Sequence, residues 1–167
     1  MGSTKILPIN LNNDFQTCVD FLCDTFVCSY GNADELEKMG GAEVYRVWLE
    51  DLLSTFPEGA VHVWHQDRIV GQIEMRLRGD LGIGVLNLVY LIPEQRGGPL
   101  GAELQSYVTD VLRQQNVNKA RLSVSPSNPR AMAYYTKHGW RDLGPRPDRP
   151  YVNTMEFDVE VIGTGNG

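Results

Sequence analysis

The apolar positions change period along the chain, and each change marks an element. Lys5 to Asn10 predicts a first strand. From Asp14, the residues Phe15, Cys18, Val19, Leu22 and Phe26 recur at helical spacing. Asn13 or Asp14 is placed to cap that helix, and Gly31 to end it. A second helical pattern carries Val44, Val47, Trp48, Leu52 and Phe56; the Gly40-Gly41 pair marks its start or a break before it, and Pro57 stops it. Period two then takes over. Ala60 to His65 puts Val61 and Val63 on one face, and Gln66-Asp67-Arg68 turns the chain. Ile69, Gly71, Ile73, Met75 and Leu77 then alternate with Gln72, Glu74 and Arg76, the pattern of a half-buried strand. After a turn at Gly79-Asp80, Ile83 to Ile92 is apolar on both faces apart from Asn87, as a central strand would be.

Helical spacing returns with Leu100, Leu104, Val108, Val111 and Leu112, and a short strand holds Ala120, Leu122 and Val124. Asn128-Pro129, a capping residue followed by proline at the first helical position, opens a helix that ends at Gly139. Tyr151 to Val159 supplies a last strand. The order β-α-α-β-β-β-α-β-α-β predicts an α/β sandwich with a mixed sheet, its last two helices crossing between parallel strands.

Composition narrows the partners. A chain of 167 residues suits one domain, with a flexible tail from Gly163 to Gly167. No apolar run approaches the ~20 residues of a membrane span. Met1-Gly2-Ser3 opens no signal peptide, so a soluble cytoplasmic protein is expected. Fifteen Lys and Arg against 21 Asp and Glu leave a net charge of −6, which disfavours nucleic acid as a partner. Residues 1–60 carry −7 and residues 61–167 carry +1, so the first third is acidic and the rest can meet an anion. Cys18, Cys23 and Cys28 have no CxxC spacing and no clustered histidines beside them. No metal is expected, and the three read as reduced, mostly buried thiols.

Two stretches carry chemistry. Tyr90 to Ala102 runs from a strand end through Arg96, Gly97, Gly98, Pro99 and Gly101 into a helix. Such a junction aims backbone N–H groups and a helix dipole at one spot, which suits a phosphate or diphosphate. It is neither a Walker loop nor a GxGxxG loop. The second stretch runs from Leu122 to Trp140. Together they resemble the GNAT superfamily of acyl-CoA N-acyltransferases. Asn128, Ala131, Tyr134, Tyr135, Lys137, Gly139 and Trp140 match its helix motif, and Pro93, Arg96, Gly97 and Gly101 match its strand–loop motif. The close matches span roughly residues 83 to 140. Pro99 stands where the family usually has a glycine, and proline has no N–H to donate.

The resemblance implies a GNAT-type three-layer α/β sandwich over residues 1–162, its mixed sheet splayed between the parallel strands Ile83–Ile92 and Lys119–Val124. Acetyl-CoA would lie in that opening. Backbone groups near Val89 and Leu91 would take the pantetheine arm and polarise the thioester carbonyl. The N–H groups of Gly97, Gly98, Leu100, Gly101 and Ala102 would take the diphosphate. Arg96 would hold the loop or the phosphates, and Asn128 would cap its helix and reach the cofactor's amide chain. An amine then attacks directly in a ternary complex, and Tyr135 protonates the departing thiolate, while Tyr134 reads as core. Some members place a glutamate base where this chain has Ser123. Glu74, acting through water, is the substitute.

The acceptor would lie over the first two helices and the strand bearing His62, Trp64 and His65. The acidic residues there, Asp34, Glu35, Glu37, Glu43, Glu50 and Asp51, favour a cationic primary amine. Tyr45 and Trp48 are candidates to stack on it, although Trp48 fits a core position better, and the two histidines read as ordinary strand residues. Pro99 and the missing glutamate motivate an alternative, a catalytically weak or inactive acyl-CoA-binding module. A nucleotide-binding domain of another kind is a third reading. Monomer and homodimer both remain open.

Overall fold

Asn10, rather than Asn13 or Asp14, starts the first helix. In the computed structural model, which describes residues 3–159, strand β1 (Thr4–Pro8) leads directly into α1 (Leu11–Tyr30). The Asn10 side chain accepts from the Asn13 N–H and caps one early turn. Asp14, at φ −124° and ψ 16°, then breaks the helical geometry, so the expected boundary survives as a kink. Gly31, at φ 84°, closes the helix by donating its N–H to the Val27 carbonyl. A single turn, α2 (Glu35–Lys38), follows in a polar stretch whose pattern announced nothing. Helix α3 (Gly41–Thr55) starts behind Gly40 and stops before Pro57, as expected.

Strands β2 (Ala60–His65) and β3 (Arg68–Arg78) form a hairpin whose two-residue turn puts Gln66 and Asp67 at positive φ. Next come β4 (Ile83–Leu91), α4 (Leu100–Gln114), β5 (Lys119–Val124) and α5 (Pro129–Lys137), then β6 (Arg141–Pro145) and β7 (Asn153–Asp158). The sheet order is β1-β2-β3-β4-β5-β7-β6. The fold is thus the expected α/β arrangement on a mixed sheet. Pairing is antiparallel in β1–β2, β2–β3, β5–β7 and β6–β7, and parallel in β4–β5. The β4–β5 register runs from Ile83↔Lys119 to Leu86↔Leu122, although β4 continues to Leu91 and β5 to Val124. The expected tail at 163–167 lies outside the described residues.

Four expectations need correction. Strand β6 was not predicted, because Arg-Asp-Leu-Gly-Pro has no alternation and is held by β7. The last strand begins at Asn153 rather than Tyr151, since Val152 is tied into a turn with Arg146 and Arg149. Most consequentially, β3 is not half-buried. Gln72 is 0% and Glu74 3% exposed, because the helices before β2 cover that face. The free cysteines also differ from expectation, with Cys18 buried but Cys28 exposed.

The described chain divides into two compact units, one holding residues up to Glu74 together with Leu88–Arg96, the other Met75–Asn87 together with residues from Gly97 onward. In the first, Phe21, Leu88 and Tyr90 form a buried cluster with Ile69 and Ile92 against it. In the second, Leu104, Val108, Leu112, Leu122 and Met155 are buried, and Lys119, Arg121 and Arg141 converge on Glu156. The β3–β4 contact is close. A Cβ built on Gly71 would sit 2.5 Å from the Tyr90 carbonyl oxygen, which backbone pairing holds in place. Gly71→Ala should therefore destabilise the protein by about 1–3 kcal/mol, read from urea unfolding.

Candidate active site

The junction between β4 and α4 is built as its sequence suggests, with one difference of cause. Gly97 sits at φ +80°, where a side chain would be strained. Pro99, at φ −72° and ψ −19°, is the N-cap of α4 and has no side-chain cap to offer. The Glu103 N–H reaches the Pro99 carbonyl at 3.4 Å. The N–H groups of Leu100, Gly101 and Ala102 precede it in the first turn, where a helix supplies no acceptor of its own. With the dipole of α4 behind them, they form an anion-binding geometry.

Gly101 has a reason to be small that the sequence did not reveal. A Cβ there would lie 3.0 Å from the Tyr134 ring, and the Tyr134 hydroxyl donates to the Gly101 carbonyl at 2.6 Å. Tyr134 thus ties α5 to the first turn of α4. The Asn128 side chain accepts from the Ala131 N–H at 3.2 Å and caps α5, as expected. One residue beyond Tyr134, Tyr135 packs its ring edge-on to Trp140 at 5.8 Å. Burial pushes its phenol upward, so it holds its proton at neutral pH. Ser123 is exposed, and its hydroxyl accepts from the Arg146 guanidinium at 2.9 Å.

In the first unit, the end of β4 has a definite orientation. The Ile92 N–H donates to the Val70 carbonyl at 2.9 Å, and the Tyr90 carbonyl faces Gly71. Backbone groups alternate along a strand, so those of Val89 and Leu91 point to the edge away from β3. The Leu91 carbonyl is already taken by Arg96 Nε at 2.8 Å, which leaves Leu91 its N–H to offer. The same guanidinium donates to Asp24 at 3.1 Å and stands 5.3 Å over the Tyr90 ring. These contacts hold the guanidinium against the end of β4 and α1.

Glu74 lies in a buried polar row. Its carboxylate accepts from the Tyr45 hydroxyl and, at 2.6 Å, from the Gln72 amide. Gln72 Oε1 is 2.7 Å from His62 Nε2, which is 3.5 Å from the Cys18 sulfur. His62 Nδ1 is buried with no partner. Desolvation lifts Glu74 to about 7 against the lowering effect of its two hydrogen bonds. Burial also pushes Cys18 up to about 12 and pulls His62 down, so both are neutral near pH 7. Tyr45 is only 1% exposed, so it holds Glu74 and is not available to stack on an acceptor. Trp48 is half-buried, while Asp34, Glu37, Glu43, Glu50 and Asp51 are exposed. Sequence reasoning missed Asp24, Gln72 and Tyr90. Nothing in the local pattern marked Asp24, whose helical neighbours Thr17 and Asp20 are polar as well.

Among the described residues no cluster of His, Cys, Asp and Glu is arranged to hold a metal ion, and no helix is long and apolar enough to cross a membrane. A family model described as Acetyltransferase (GNAT) family matches residues 19–140. The fold is similar to that of PaiA N-acetyltransferase from Thermoplasma acidophilum in complex with coenzyme A. The TM-score is 0.78 at 16% identity, over 93% of this chain and 99% of that one. It is also similar to aminoglycoside acetyltransferase AAC(6')-Ib in complex with coenzyme A, with TM-score 0.68, 21% identity, and 93% and 95% of the two chains covered. Spermidine N-acetyltransferase from Vibrio cholerae, in complex with coenzyme A and spermine, gives 0.67 at 18% identity with the same coverage. No curated protein sequence matches the chain significantly.

Because the native state holds the Glu74 proton more tightly than the unfolded chain, that group stabilises the fold fully below about pH 4.5. The contribution is lost as pH rises through about 7. Glu74→Gln should remove this slope and be more stable than the parent at pH 8, by up to about 3 kcal/mol. Urea unfolding across pH 4–8 measures it.

Proposed function

The chain belongs to the GNAT acetyltransferase family, and from that premise we propose that it moves an acetyl group from acetyl-CoA to a cationic primary amine. The observation that carries the reading is the uncapped first turn of α4 behind Gly97 at positive φ. Gly97, Gly98, Leu100, Gly101 and Ala102 bind the diphosphate through backbone N–H groups. Pro99 withholds one donor, at a cost of roughly 1.5–3 kcal/mol if a bond to a charged group is lost. Asn128 binds the cofactor's amide chain with the polar capacity its cap leaves over. The N–H groups of Val89 and Leu91 orient the pantetheine arm and receive the charge that develops on the thioester oxygen. One such donor contributes about 2.7–4 kcal/mol to an acyl transfer.

The amine nitrogen bonds to the acetyl carbon, the carbon–sulfur bond breaks, and Tyr135 gives its proton to the sulfur. The phenol carries its proton at neutral pH, and because burial raises its pKa it must be held close to the sulfur to give that proton up. Glu74 takes the ammonium proton through water, and a carboxyl lifted to about 7 is poised to do so near neutral pH. The acidic surface of α2 and α3 draws in a cation. Coenzyme A bound to all three of the similar structures, and spermine bound to one, support this choice of substrates.

Thiol release across a panel of amines tests the proposal. Tyr135→Phe should lower kcat by about 100-fold with coenzyme A affinity unchanged within about twofold. A chain that binds acetyl-CoA yet releases no thiol with any amine would be a binding module instead. In the active enzyme, kcat/KM should rise with pH through about 7, and Glu74→Gln should lose that limb.

A further inference from the structure

Asp24 lies outside every motif in the sequence, yet it is where three elements of the first unit meet. Phe21, one turn earlier on α1, stacks on Tyr90 at 4.5 Å with the rings 29° apart. The Tyr90 hydroxyl donates to Asp24 Oδ2 at 2.5 Å, and Arg96 donates to the same oxygen at 3.1 Å. Arg96 also returns to its own strand, with Nε on the Leu91 carbonyl at 2.8 Å and its backbone N–H on the Pro93 carbonyl at 3.2 Å. The segment from Leu91 to Arg96 is thus folded back on itself and fastened to α1 by one carboxylate. Side-chain exposure is 19% for Arg96 and 38% for Asp24, so water competes with this pair only in part.

Gly97, at φ +80°, follows Arg96 directly in the chain. Without Asp24, the guanidinium keeps only the Leu91 carbonyl and the Tyr90 ring.

We propose that Asp24 is a positioning residue for the diphosphate-binding loop, acting through Arg96 and Tyr90 to fix the point from which Gly97–Ala102 departs. The proposal rests on the acetyl-CoA reading above. It assigns the Arg96 charge to Asp24, so the diphosphate is held by backbone N–H groups and not by the guanidinium.

The test uses the full chain and coenzyme A itself as the probe. Asp24→Asn should weaken coenzyme A binding, by calorimetry, about tenfold, the scale of one hydrogen bond to a charged group. The acceptor KM should stay unchanged, and Asp24→Glu should recover most of the affinity. Arg96→Met should cost about as much, and the double variant no more than the worse single one, because both break the same link. Tighter binding by Asp24→Asn would mean that the freed guanidinium is itself a phosphate ligand, and would overturn the proposal. Unchanged binding, or losses that multiply in the double variant, would also overturn it. Hydrogen exchange of residues 97–102 in the free protein supplies a readout independent of the cofactor. Faster exchange in Asp24→Asn supports the clamp, and unchanged exchange refutes it. If the parent chain fails to bind coenzyme A, the acetyl-CoA reading falls, while the exchange experiment still decides whether Asp24 holds the loop.

Discussion

A helix that starts behind proline has N–H groups in its first turn and no side chain of that residue to give them. This is the situation of α4, where Pro99 stands at the cap and Leu100, Gly101 and Ala102 follow. Water can satisfy such groups, but a ligand with several anionic oxygens satisfies them together and gains the helix dipole as well. The surroundings are arranged around this site. Gly97 turns the backbone toward it, Tyr134 fastens the first turn from beneath through the Gly101 carbonyl, and Asn128 starts α5 so that Tyr134 and Tyr135 follow in its second turn.

Two carboxylates in the first unit meet opposite electrostatic fates. Asp24 stands partly in water with a guanidinium beside it and serves as a fixed anchor. Glu74 is buried with a phenol and an amide as partners and no cation among its hydrogen bonds, so its charge is costly and its proton is held late. The difference follows from how far each one is covered and what it is paired with. Gln72 and Glu74 alternate correctly with their apolar neighbours, but the face they occupy is roofed by α1 and α3, whose Cys18 and Tyr45 complete the row.

That row also shows where sequence reading stops. Period-two alternation located β3 but could not say that its polar face was covered, because the covering residues lie far along the chain. The loop, the cap at Asn128 and the pair of tyrosines were legible, since each is a local pattern with a local cause. Strand β6 and the single turn α2 were not. Both are short, lack a period of their own, and owe their shape to neighbours. Asp24 was invisible for a related reason. Its partners, Tyr90 and Arg96, are recognised only once α1 is laid against the end of β4.

Gly101 lies in a motif that reads as ligand binding, yet the space beside it is filled from within by the Tyr134 ring. A larger residue there would have to press the Tyr134 ring aside by a few tenths of an ångström, whether or not anything binds the helix end, so the smallness of this position serves packing as well as any ligand.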